Sequence, residues 1–273
     1  MSTLTSAVVT LLPSNHFDTP ATMGRASHSL FLDWVRQVDP QLALNLHAQA
    51  SSKTFTCSDL IGGEWTSRDR RKFDPNQEVW LRYTGLSSEV SDFLEQLTYN
   101  APKSIHLLDR QFHVLDVTID KDKHRWAGQT SYQSLAAPYL LSKVKTKFRF
   151  GLEFKSPTAF RQGKKKITHP IPMGHWVFQG LLRRWNEHSP ITLAEEMNDY
   201  VENSVILTRY DLETKAVPSK KNVQTGCVGE AQFAFIEKDR FGANMLNLLA
   251  EYAFYSGVGY QTTTGMGQTR YLH

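Results

Sequence analysis

Phe148-Arg149-Phe150-Gly151-Leu152-Glu153-Phe154 alternates large apolar residues with arginine, glycine and glutamate. Successive side chains of a strand point to opposite faces, so this period of two predicts a half-buried strand with its apolar residues turned to a core. Toward the C-terminus, Met173 to Trp185 and Ile191 to Val201 are expected as helices, and Val205 to Leu212 and Val228 to Ile236 as strands. Ala243 to Tyr255 is a strongly apolar helix candidate, and Thr269 to Leu272 a closing strand. The succession is strand, helix, strand, strand, helix, strand, with one extra helix.

The same order recurs before Phe148. Ala7 to Leu12 is a β-rich run. From Gly24 to Val38, apolar Leu30, Phe31, Trp34, Val35 and Val38 recur at helical spacing. Pro40 ends that helix, and Gln41 to His47 is a further helical turn. Thr54 to Ser58 and Glu78 to Leu86 are expected strands, and Ser88 to Tyr99 is a helix with Val90, Phe93, Leu94 and Leu97 on one face. Ile105 to Ile119 is one long strand or a hairpin. The chain is therefore expected to be α+β, with two tandem ferredoxin-like (RRM-like, βαββαβ) domains. The expected division is 1–137 and 138–273.

Composition narrows the function. Hydrophobic residues make up 40% of the 273, and six tryptophans are enough for packed cores. The net charge of +4 and a pI near 8.9 permit an anionic partner without requiring one. Cys57 and Cys227 are far apart and form no C-x-x-C, which speaks against a zinc site or a disulfide framework. No metal or cofactor is expected. The N-terminus has no basic region ahead of an apolar one, and no apolar run nears the roughly 18 residues of a membrane span. A cytoplasmic protein away from membranes is expected.

Three features carry chemistry. The first is Gly257-Val-Gly259-Tyr-Gln-Thr-Thr-Thr-Gly265-Met-Gly267, directly after the apolar helix. Glycine allows positive φ and close backbone approach, so the amides of this loop are candidates to face an anion such as a phosphate. The loop matches neither a dinucleotide fingerprint nor a P-loop, and its bland reading is a flexible hairpin. The second is charge. Lys143, Lys145, Lys147, Arg149, Lys155, Arg161, Lys164, Lys165 and Lys166 stand against Glu153 alone, with Phe154 and Phe160 interleaved. Cations along a phosphate backbone with rings beside them suit single-stranded RNA. Lys143 to Lys147 reads better as a solvated edge, and Arg161 to Lys166 as an anion-binding loop.

The third is histidine. Among ten, none has the spacing of a helical zinc site. His28 lies early in the first helix and His47 ends the next helical turn, and the Pro40 turn between them can bring the rings together. An imidazole pair supplies a base and an acid at neutral pH, and Lys53 adds a cation for an anionic transition state. That set suffices for RNA cleavage through the 2′-OH.

With these residues in view, the chain resembles the CRISPR-associated repeat-processing endoribonucleases of the RAMP superfamily, the Cas6 type. The resemblance rests on Gly257 to Gly267, on Phe148 to Phe160, on Thr225-Gly-Cys-Val-Gly229-Glu-Ala-Gln-Phe, and on Leu46-His47 with Lys53-Thr-Phe55-Thr-Cys-Ser58. It implies two ferredoxin-like domains and metal-independent cleavage within CRISPR repeat RNA, leaving 5′-hydroxyl and 2′,3′-cyclic phosphate ends. It maps catalysis onto His47, His28 and Lys53. No tyrosine lies between Met1 and Gly63, so a Tyr-His-Lys triad is not available. It assigns RNA binding to Lys155, Arg161, Lys164, Lys165 and Lys166 and to Gly257, Gly259, Gly265 and Gly267. It leaves open a homodimer and attachment to a CRISPR effector complex. The alternative is a non-catalytic RAMP subunit that binds guide RNA, which would need neither histidine.

Overall fold

The computed structural model describes residues 3–49, 52–67, 69–162, 167–218 and 223–272. They divide into two compact units, Thr3–Gln129 with Thr263–Met266, and Thr130–Thr262 with Gly267–His273.

The first unit runs β1 (Thr3–Pro13), β2 (Phe17–Pro20), α1 (Gly24–Val38), α2 (Pro40–Ala48), β3 (Phe55–Cys57), β4 (Glu64–Trp65), β5 (Arg70–Phe73), β6 (Val79–Gly85), α3 (Ser88–Tyr99), β7 (Ser104–Leu107), β8 (Arg110–Thr118) and the first half of β9 (Gly128–Ser131). Its main sheet has the order β3-β6-β1-β8-β7, with β9 also on β1. Counting only β1, β3, β6 and β8, the order is second, third, first, fourth, all antiparallel. That is the ferredoxin-like arrangement. Ala7, Val9 and Leu11 of β1 share a core with Phe31, Trp34 and Val35 of α1 and Val90, Phe93 and Leu94 of α3. Burying a side chain such as Phe31 contributes roughly 1.5–3 kcal/mol.

Helix starts follow from local chemistry. Asp39 accepts from the Leu42 amide at 2.9 Å and Pro40 occupies the first turn of α2, so the chain turns between α1 and α2 without losing a cap. Ser87 caps α3 in the same way.

The second unit runs α4 (Tyr132–Leu140), β10 (Arg149–Thr158), β11 (Phe160–Gln162), β12 (Ile167–His169), α5 (Gly174–His188), α6 (Met197–Ser204), β13 (Val205–Pro218), β14 (Val223–Phe235), α7 (Arg240–Ser256) and β15 (Thr269–Leu272). Its sheet, β13-β14-β10-β15, again has the order second, third, first, fourth. Phe150 of β10, Phe178 of α5 and Phe233 of β14 meet edge to face at its centre.

The structure adds detail to the sequence reading at four places. The expected division at 137/138 falls inside α4, whose Tyr132 and Tyr139 contact Tyr252 and Glu251 of α7. Ile105 to Ile119 is a hairpin, turning at Leu108, where φ is 54°. The helix expected from Ile191 begins only at Met197. Before it, the side chain of Asn186 takes both the amide and the carbonyl of Leu193, and Trp185 Nε1 donates to the Ile191 carbonyl, which holds this stretch out of a helix. A separate sheet, β2-β5-β4, carries no alternating apolar signal and was not expected.

Candidate active site and nucleic-acid interface

His28 lies one turn into α1, half-buried, with its ring stacked on Phe55 at 5.7 Å and 24°. Its Nδ1 is 2.9 Å from the carbonyl oxygen of Thr263. A carbonyl only accepts, so Nδ1 carries the proton. The neutral ring then presents an unprotonated Nε2. Burial lowers the pKa of His28. The Thr263 bond opposes this, while the charges of Lys53 and His47 add to it. The neutral, basic form is favoured.

That carbonyl is held by a tight local fit. The tip of the glycine loop, Thr263–Met266, belongs to the same unit as His28. Gly265 donates its amide to the Cys57 carbonyl at 3.0 Å, at the end of β3. A Cβ on Gly24, the first residue of α1, would collide with the Thr264 carbonyl and with Gly265 Cα. Beside them, Asp59 accepts from the Met23 and Leu60 amides at 2.7 Å each and from Arg71 Nη2 at 3.2 Å. Burial raises the pKa of Asp59, against the pull of Arg71 and these amides. The start of α1, the turn after β3 and the loop tip thus converge beside His28.

His47 is exposed in the last turn of α2. Lys53 Nζ donates to the carbonyls of Leu46 at 2.7 Å and His47 at 3.0 Å, closing the C-terminus of α2. Gln49 and Thr54 bond each other reciprocally, Thr54 N to Gln49 Oε1 at 3.1 Å and Gln49 Nε2 to Thr54 Oγ1 at 3.3 Å. These bonds tie the end of α2 to the start of β3. Burial lowers the pKa of Lys53 as well. The fold therefore brings His47 and Lys53 near enough for their charges to act on His28, around the Asp39-Pro40 turn.

The feet of the loop belong to the second unit. Gly257 (φ 64°), Gly259 (80°) and Gly267 (76°), like Gly265 (101°) at the tip, all adopt the left-handed region that disfavours side chains. The amides of Gly257, Val258, Tyr260, Gly265 and Gly267 donate to the carbonyls of Ala253, Gly267, Ala159, Cys57 and Pro157. The expectation that these amides face a phosphate does not hold for those five. The loop spends them on its own shape. Arg184 of α5 clamps its start, donating to the Ser256, Gly257 and Gly259 carbonyls at 2.8, 3.0 and 2.6 Å. Burial brings the pKa of Arg184 down to about 10.

Of the expected RNA-binding cations, Lys155 is exposed on β10, and Arg161 is exposed on β11 with its guanidinium 5.3 Å from the Tyr260 ring centroid. Lys164, Lys165 and Lys166 lie outside the described residues, between β11 and β12. Both cysteines are free and buried, and burial raises both thiol pKa values.

Residues 4–137 match the family model described as the CRISPR Cas6 N-terminal domain, and residues 152–269 match that of the CRISPR-associated endoribonuclease Cas6. The chain belongs to the Cas6 family. A curated Cas6 from Streptococcus thermophilus is 25% identical over 226 residues, covering 71% of this chain and 91% of its own. A solved product complex of a Thermus thermophilus Cas6 is 26% identical, superposes with a TM-score of 0.81 and covers all of both chains. A second Cas6 product complex, 23% identical with a TM-score of 0.78, shares the fold over 99% of this chain and 100% of its own. The ferredoxin-like expectation is borne out in both sheets. The Thr263 carbonyl and Asp59 in the first unit carry no signature in a single sequence, and neither does Arg184 in the second. Only Gly24, opening an apolar helix without a side chain, hints at the close approach.

Proposed function

We propose that this Cas6 family member matures CRISPR precursor RNA by metal-independent cleavage within the repeats. The observation that carries the mechanism is the bond between His28 Nδ1 and the Thr263 carbonyl, which supports His28 as the base. Nε2 of His28 takes the proton of the 2′-OH. The 2′-oxygen attacks the adjacent phosphorus and the bond to the 5′-oxygen breaks. His47 donates its proton to that leaving oxygen. The products are a 2′,3′-cyclic phosphate and a 5′-hydroxyl. Lys53 uses two of its three ammonium donors on carbonyls, and the third faces the charge that develops on the phosphoryl oxygens.

In this reading Lys155, Arg161 and Lys164 to Lys166 hold the RNA backbone. Gly257, Gly259, Gly265 and Gly267 act by shaping the loop that orients His28 and by keeping it close to the RNA. No helix among the described residues is long and apolar enough to cross a membrane, which fits a cytoplasmic enzyme. Light scattering of the RNA-bound protein distinguishes monomer from homodimer, and retention of the product is the condition for handing it to an effector complex.

The test is incubation with labelled repeat RNA in EDTA, beside the same RNA carrying one 2′-deoxy nucleotide at the cut site. Cleavage of the first and not the second is expected. Binding of several repeat RNAs without cleavage would favour a guide-RNA-binding subunit instead.

A further inference from the structure

The second unit holds a cleft of about 370 Å³ that the cleavage chemistry does not use. Its walls include Phe160 and Arg161 of β11, Trp176, Gly180 and Arg183 of α5, and Tyr260 of the glycine loop. Trp176, Gly180 and Arg183 are spaced by four and three residues, so one face of α5 forms the floor.

Gly180 is the informative residue. A glycine inside a helix costs roughly 0.5–1 kcal/mol relative to alanine. Other described glycines have a packing reason. Gly174 at the start of the same helix abuts Val205, and Gly259 abuts the Ala159 carbonyl. A Cβ on Gly180 would meet nothing within 4 Å, and its φ is not in the left-handed region. Neither packing nor backbone geometry asks for glycine there. Its absent side chain keeps the cleft open.

The walls say what fits. Arg161 lies over Tyr260 at 5.3 Å, and Trp176 stacks with Phe160 at 6.2 Å and with His169 at 4.9 Å. Flat rings and a guanidinium plane are stacking surfaces for a nucleobase. Arg161 and Arg183 are both exposed and make no ion pair among the described residues, which leaves positive charge at the mouth.

Resting on the RNA-processing reading above, we infer that this cleft captures one unpaired nucleotide of the bound repeat RNA. Its base lies against the Tyr260 and Trp176 walls, and its phosphate meets Arg161 and Arg183 at the mouth.

The test uses the full chain carrying His47→Ala, and repeat RNAs with 2-aminopurine at one unpaired position at a time. At one position fluorescence should be quenched on binding. Tyr260→Ala and Gly180→Leu should each relieve that quenching and weaken affinity about tenfold. Gly180→Ala, which adds only a methyl group to open space, should raise Tm while weakening binding. Failure of the parent protein to bind repeat RNA would overturn the processing reading and this inference together. Binding without quenching at any position, or quenching and affinity unchanged in all three variants, would overturn the cleft alone. Adenosine monophosphate is titrated in parallel. Saturable binding lost in Tyr260→Ala, with no responsive RNA position, would assign the cleft to a free nucleotide and overturn the RNA assignment.

Discussion

Gly24→Ala puts one methyl group where the fold leaves no room. An ideal Cβ there would stand 2.6 Å from Gly265 Cα and from the Thr264 carbonyl carbon. Carbon atoms settle at about 3.5–4.0 Å, so roughly 1 Å of separation must open between α1 and the loop tip. Both partners are backbone, pinned by the Gly265–Cys57 bond and the Asp59–Met23 bond, so a side-chain rotation cannot absorb the shift. Overpacking of this kind costs about 1–3 kcal/mol. At about 3 °C per kcal/mol for a unit of this size, Tm should fall by roughly 3–9 °C. The same displacement draws the Thr263 carbonyl away from His28 Nδ1, and a misplacement of about 1 Å in a catalytic group costs on the order of 100-fold. The assay is thermal melting beside single-turnover cleavage at saturating protein, so that weaker binding does not mask the rate. Unchanged Tm and rate would refute the tight contact between α1 and the loop tip. A lowered Tm with an unchanged rate would refute its role in placing His28.

Burial, ahead of the charges of Lys53 and His47, holds His28 below the ordinary imidazole value of 6.5. A base works when deprotonated, so the acid limb of the pH–rate profile should fall below 6.5. Lys53→Met removes one depressing charge and should move that limb up; a limb at or above 6.5 in the parent contradicts the assignment. The same depression makes folding weaker as pH drops from 6.5 through the folded-state value, because the unfolded chain then binds the extra proton, and melting curves across that range check the sign. His47→Ala should abolish cleavage and leave RNA affinity unchanged in a filter-binding assay; residual full activity would remove His47 from the chemistry. Arg161→Ala should reduce the slope of log K against log salt by about 0.7–0.9, the release expected for one phosphate contact, and an unchanged slope would show that Arg161 does not touch the backbone.

Sequence periodicity reached much of this fold. Gly24–Val38 and Ser88–Tyr99 show apolar residues on one helical face and form helices with those bounds. Thr269–Leu272 closes the second sheet as expected. What escaped had no periodic signal to give. β2, β4 and β5 are two to four residues long, and Glu64 and Trp65 are both exposed. The stretch after Ile191 lost its helix to Asn186 and Trp185, side chains that no local window relates to it. The site divides in the same way. His28, His47 and Lys53 were visible by residue type, and the Asp39-Pro40 turn suggested their meeting. The acceptor that fixes the His28 tautomer is a main-chain carbonyl, and every residue has one.

That acceptor lies 235 residues downstream of His28. On a growing polypeptide both histidines and Lys53 leave the ribosome ahead of the second unit, and their helices and strands can pair while translation goes on. The imidazole has no partner for Nδ1 until the loop after α7 is made. The proposed base therefore gains its partner only after the strands and helices of the second unit up to α7 have been laid down. A nascent chain stalled before Thr263 holds His28, His47 and Lys53 without the carbonyl that fixes the His28 tautomer.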